Sequence, residues 1–149
     1  MEEPPHRELT EVASTWDRRT ERSARCEFDD SIHAPAAMRD FVRASARGWG
    51  LGDVGSLAEL LVSEIVTNAV EHGGSGGVVE VEALPAGLRV AVTDHAAGRP
   101  VLRNPRDDEP TGRGLAIVDR LSRWWGVETT PNGKVVWFEV DDVDVSSQW

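Results

Sequence analysis

The sequence predicts an α+β domain in two layers, with helices packed on one face of a mostly antiparallel, mixed sheet. Three observations carry that expectation. Strand and helix patterns are segregated along the chain rather than alternating one for one. Two pairs of alternating apolar stretches each close on a turn, residues 78–84 with 88–94 across Pro85-Ala86-Gly87, and 125–130 with 134–140 across Pro131-Asn132-Gly133. Residues 59–72 have a helical period and run into Gly73-Gly74, a strong stop.

Taken in order, residues 1–22 are polar, with Pro4-Pro5 and many Glu and Arg, and the stretch as a whole shows no clear period. It reads as a disordered or loosely docked arm. The folded domain is expected over 23–141, and 142–149 form a frayed acidic tail. Residues 25–28 read as a short edge strand. Pro35 suits the first position of a helix over 36–46, with Ala37, Phe41 and Val42 spaced for one buried face and Gly48 and Gly50 ending it. Asp53 or Ser56 can cap the next helix. After the first hairpin, residues 95–111 hold three prolines and no period, and a loop of that length in a compact domain is usually functional. A third helix is expected over 114–123, with Leu115, Ile117, Val118 and Leu121 as its apolar side. The second hairpin closes the domain. No internal repeat is present.

The second helix carries the polar residues of interest. At about 100° per residue, Glu59, Ser63 and Thr67 form a narrow polar strip, while Leu57, Leu61, Val62, Ile65 and Ala69 fill the opposite arc. Asn68 and His72 project among Leu61, Ile65 and Ala69, on the face that ought to be dry, and Glu64 sits at its edge. An unpaired polar group buried there costs roughly 2 kcal/mol or more. A capping Asn or a core His is common taken singly. Glu, Asn and His spaced by four on one apolar face point instead to a pocket for a polar ligand.

Composition narrows the function classes. The chain has 149 residues, 40% of them hydrophobic, enough for one core. No apolar run reaches the about 18 residues of a membrane span, and no secretion signal opens the sequence. The single cysteine, Cys26, fits a reducing, cytoplasmic setting. A net charge of −10 opposes direct nucleic-acid binding and allows a basic protein partner. Lys134 is the chain's one lysine.

Three stretches hold the chemistry. The first is Glu64-x-x-x-Asn68-Ala69-x-x-His72. The second is Asp94 at a strand end, followed by His95-Ala96-Ala97-Gly98. The third is Thr111-Gly112-Arg113-Gly114-Leu115 at a helix start. Glycines at a helix N-terminus let backbone N–H groups approach phosphate oxygens, and Arg113 adds charge. Asp94 can accept a hydrogen bond from the exocyclic amine of a base. The amide oxygen of Asn68 suits Mg²⁺ bridging phosphates. Glu64, one turn earlier, can take a proton from an attacking hydroxyl or water. A P-loop is absent from the sequence.

In this order the three stretches resemble the N, G1 and G2 boxes of the ATP-binding domain shared by gyrase, histidine kinases and MutL, a Bergerat-type fold. They look most like the stand-alone branch of anti-sigma-factor serine/threonine kinases, the switch-protein kinases of Gram-positive bacteria, of actinobacterial type. The likeness runs from about residue 28 to residue 140. It extends to Arg123-Trp124-Trp125-Gly126-Val127 and to the stretch from Gly133 to Glu139. It implies that Glu64 is the general base, that Asn68 holds Mg²⁺ and that Asp94 reads the adenine amino group. It further implies that Gly98 shapes the adenine pocket, that Gly112, Arg113 and Gly114 lie against the phosphates with Leu115 and His72 beside the nucleotide, and that 99–111 form the ATP lid. The implied activity is phosphorylation of an antagonist protein and capture of a sigma factor or similar partner. Relatives of this type commonly dimerise.

Two other readings compete. One is a binding module that keeps ATP and partner recognition without significant kinase activity. It is favoured by Ala96, which stands where the family's second box usually has glycine, and by Asp107-Asp108-Glu109 in the lid. The other is a fragment of a sensor histidine kinase, which the sequence disfavours because it has no phosphoacceptor helix pair. Its His72 lies on the pocket helix and is not read as a phosphoacceptor.

Overall fold

Both expected hairpins form, and they meet edge to edge. The computed structural model describes residues 22–72, 76–95, 110–131 and 133–141, with the backbone alone over 110–115. The elements are β1 (Ser23–Phe28), α1 (Ala34–Gly48), α2 (Gly52–His72), β2 (Gly77–Leu84), β3 (Gly87–Asp94), α3 (Pro110–Leu121), β4 (Trp124–Thr130) and β5 (Gly133–Asp141). The five strands form one sheet in the order β1-β2-β3-β5-β4. Each pairing among the described residues is antiparallel, so the mixed component expected from the sequence is not seen there. The reason lies in connectivity. β5 reaches β3 only after the chain has crossed through α3 and reversed at the β4–β5 turn.

Alternation assigns the two faces. Phe28, Val79, Val81, Leu88, Val90, Val92, Trp125, Val136, Phe138 and Val140 point to the helix side and join the main core. α1 contributes Ala34, Met38, Val42 and Ala46, four residues apart, because a spacing of four keeps one helix face toward the sheet. The face expected from Ala37, Phe41 and Val42 is rotated. Ala37 is exposed and Phe41 half-buried, since Met38 takes the central place. α2 buries Leu61, Val62, Ile65 and Ala69 as expected, together with Val54, Ala58 and Val66.

The polar strip of α2 does not face open water. Arg43 Nη2 donates to Glu59 Oε1 at 2.9 Å and Arg43 Nη1 to Asp40 Oδ1 at 2.8 Å. Arg39 Nη1 donates to Ser63 Oγ at 3.0 Å, and Thr67 Oγ1 caps back onto the Ser63 carbonyl at 2.7 Å. The strip is therefore the polar seam between α1 and α2. The Glu59 hydrogen bond and charge raise the Arg43 pKa above its ordinary value.

α3 begins four residues before the expected start, because Pro110 fixes φ and seeds the first turn. It ends at Leu121, which is 43% exposed rather than part of the apolar side. Val118 is buried, Ile117 packs on the core, and Trp125 Nε1 donates to Asp119 Oδ1 at 2.8 Å, tying α3 to β4. The Gly73-Gly74 stop, the loop over 96–109, Asn132, the arm over 1–21 and the tail over 142–149 lie outside the described residues.

Candidate functional site

The site is assembled by the end of α2 and the ends of the two central strands. α2 stops at His72 and the chain re-enters the sheet at Gly77, whose Cα partner is Asp94. The last residue of α2 is thus five positions from the residue that pairs with Asp94. On the other side Asp94 pairs with Lys134. Gly133 makes this close approach possible, since a Cβ there would lie 1.9 Å from the Asp94 carbonyl oxygen, and its φ is +149°. β5 can pack against the end of β3 only with glycine at that position.

Glu64 and Asn68 lie one turn apart on α2, and both are half-buried. The Asn68 Oδ1 atom is shielded from solvent and has no hydrogen-bond partner among the described residues. A buried carbonyl oxygen without a donor is costly unless something outside the protein meets it. That is the donor type a hard cation takes, so the residue fits Mg²⁺. Among the described residues no three His, Cys, Asp or Glu side chains gather into a metal site.

Asp94 is 3% exposed and on the helix side of the sheet, in line with Val90 and Val92. His72 departs from expectation. It is exposed at the last helical residue rather than on the dry face, because the layer that covers Ile65 and Ala69 does not extend to the final turn. Gly112, Arg113, Gly114 and Leu115 lie inside α3 rather than ahead of it, because the helix starts at Pro110. The N–H groups of the N-cap and the first three helical residues have no intrahelical acceptor, so with Pro110 in the first position the backbone N–H of Gly112 is left open to an anion, whereas those of Arg113 and Gly114 fall in the hydrogen-bonded turn. α3 packs against α2, which brings its N-terminal half to the same side of the sheet. Gly98, Ala96 and the lid as far as residue 109 are outside the described residues. The last two residues of that expected lid, Pro110 and Thr111, are helical.

Sequence reasoning missed Lys134. By strand parity it shares the helix side with Val136 and Phe138, directly beside Asp94, and it is half-buried. The available signal was its place one residue after the turn glycine, on the strand that pairs with β3.

Residues 28–140 match the profile of the histidine kinase-like ATPase domain. The chain belongs to that family. This ATPase domain is therefore of the ATP-binding, kinase-like type, and the layered antiparallel sheet is its family fold. It is 35% identical over 80 residues to an uncharacterized protein of Streptomyces coelicolor, a span covering 50% of this chain and 76% of that protein. Among solved structures, the histidine kinase AdeS of Acinetobacter baumannii aligns with 90% of this chain and 74% of its own, at a TM-score of 0.48 and 11% identity. No helix among the described residues of the ATPase domain is long and apolar enough to cross a membrane.

Proposed function

We propose that this ATPase domain is a Mg-ATP-dependent serine/threonine protein kinase. Its substrate is an antagonist protein, and it also binds a sigma factor or similar partner. The observation that carries the kinase reading is the shielded, unpartnered Asn68 Oδ1 one helical turn beyond the half-buried Glu64. The antagonist and sigma-factor part rests on the likeness of the sequence to the stand-alone switch-protein kinases.

Each residue then has a separate task. Asp94 accepts a hydrogen bond from the adenine amino group and fixes the base. The N–H group of Gly112 meets a phosphate oxygen at the positive end of α3, where Arg113 adds positive charge. Asn68 lends its amide oxygen to the ion. When bound, Mg²⁺ offsets the negative charge of the triphosphate. Glu64 takes the proton of the incoming serine or threonine hydroxyl as its oxygen bonds to the γ-phosphorus, and the bond to ADP breaks. Phosphoryl transfer of this kind depends mostly on positioning and charge, which suits a site with a single general base.

The test is a paired assay on two variants. Asn68→Ala should lose both tight Mg-ATP binding and transfer. Glu64→Gln should keep ATP affinity within about threefold of wild type and lower transfer roughly 10²–10⁴-fold, the usual worth of a positioned base. Transfer by Glu64→Gln at the wild-type rate overturns the mechanism. The second reading, a partner-switching module without significant kinase activity, is favoured by Ala96 in the second box. If φ > 0 is needed there, alanine costs about 1 kcal/mol relative to glycine and weakens ATP binding. A wild-type domain that binds ATP but phosphorylates no antagonist supports that reading.

A further inference from the structure

The centre of the sheet face turned away from the helices is dry. On it Trp137 is 2% exposed, Ala91 1%, Val78 5% and Glu82 7%. Ala91 and Trp137, with Trp124 and Val135 beside them, form a cluster separate from the main core. α1, α2 and α3 all pack on the opposite side, so no described element covers these residues. An indole lying across a bare sheet is not shielded to 2% by its strand neighbours. The site is also shaped to hold that indole flat. A Cβ at Gly126 would lie 2.7–2.9 Å from the Trp137 ring, and the ring nitrogen is buried without a hydrogen-bond partner among the described residues.

We infer that residues 1–21 of this chain dock across this outer face and cover Trp137. Reach and pattern select this segment. It joins the sheet at Ser23, the end of a row of Cα partners that crosses the whole face through Glu82, Arg89 and Glu139 to Trp124. Five strands at their usual spacing span about 19 Å. A helix of about 13 residues is about 20 Å long, so 21 residues suffice to cross the sheet. The arm lacks a sustained period, yet its middle places Leu9, Val12, Ala13 and Trp16 at i, i+3, i+4 and i+7. The face itself is acidic. Glu27, Glu80, Glu82, Glu128 and Glu139 lie on it against Arg25 and Arg89. The arm carries three arginines against six carboxylates, so net charge does not select it, but its 21 residues reach across the sheet, whereas residues 142–149 are eight residues with two aspartates and no basic residue.

Hydroxyl-radical footprinting of Trp137 in the full chain is the direct measurement, with Trp125 on the helix side as the internal control. Replacing Leu9, Val12 and Trp16 together by Glu should raise labelling of Trp137 at least fivefold and leave Trp125 within twofold. Deleting residues 1–21 should do the same, and if that deletion unfolds the domain and exposes Trp125 as well, the full-length variant decides. Unchanged Trp137 labelling in the Glu variant overturns the inference. So does exposure that follows only from deleting residues 142–149. Loss of protection on dilution, together with a dimer-to-monomer change in size-exclusion chromatography, shows that a second copy covers the face and likewise overturns it.

Discussion

Asp94 ends β3 almost fully shielded, wedged between Gly77 and Lys134 on the neighbouring strands. A buried carboxylate accepts hydrogen bonds and cannot donate them, so it distinguishes adenine, which offers an amino donor, from guanine, which offers an acceptor. Asp94→Asn should weaken ATP binding by about 1–3 kcal/mol, the range for a hydrogen bond to a charged group. Titration calorimetry measures it, and equal ATP and GTP affinity in the wild type counts against the assignment. At this scale the sequence was informative wherever a side chain's surroundings follow from helical period alone. Glu64 and Asn68 are of that kind, because both sit within the packed span of α2. His72 is not. The period says where its Cβ points but not whether another layer lies above it, and His72 is exposed. Lys134 stayed hidden for a related reason. Its meaning depends on which residue faces it across two strands, 40 positions away in the chain, and no local pattern records that.

At the scale of elements, the ion cluster on the outer face shows the same dependence on register. Arg89 Nε donates to Glu139 Oε2 at 2.7 Å, and Arg89 Nη1 lies 3.6 Å from Glu82 Oε1, with side-chain exposures of 18% or less for all three. Strand alternation puts each of these residues on the face opposite Val81, Val90 and Phe138. It did not show that Glu82, Arg89 and Glu139 line up as direct cross-strand partners. Charges this far from water are costly to orphan. Arg89→Met should destabilise the domain by about 3 kcal/mol, because two carboxylates then lose their cation, and adding Glu82→Gln and Glu139→Gln should recover much of the loss. Urea unfolding of the three variants checks both steps, and an Arg89→Met domain as stable as wild type contradicts the account. The helix boundaries teach a different lesson. The early start of α3 was written in Pro110, yet the flanking acidic run and two further prolines made the stretch read as loop throughout.

The whole molecule couples these pieces, since the layer that buries Val90 and Val92 also aims Asp94 at the end of α2. Class and layering were legible because they follow from the order of periodic segments. The strand order was not, since the β3–β5 pairing joins residues separated by an entire helix and strand. That pairing makes nucleotide binding a property of the folded sheet. The unfolded chain separates Asn68, Asp94 and the start of α3, and it has no site. Ligand bound only to the native state adds stability of RT ln(1 + [L]/Kd), about 2.7 kcal/mol at a hundredfold excess over Kd. For a domain of this size that corresponds to a rise in Tm of roughly 10 °C. Scanning fluorimetry should show the rise with Mg-ATP and not with GTP. Chelating the metal should reduce it for wild type. Asn68→Ala should show a small shift that is the same with and without Mg²⁺, because the residue that senses the ion is gone while Asp94 still reads the base. A metal-dependent shift that survives Asn68→Ala places the ion on other groups, and the role given to the shielded amide oxygen is then wrong.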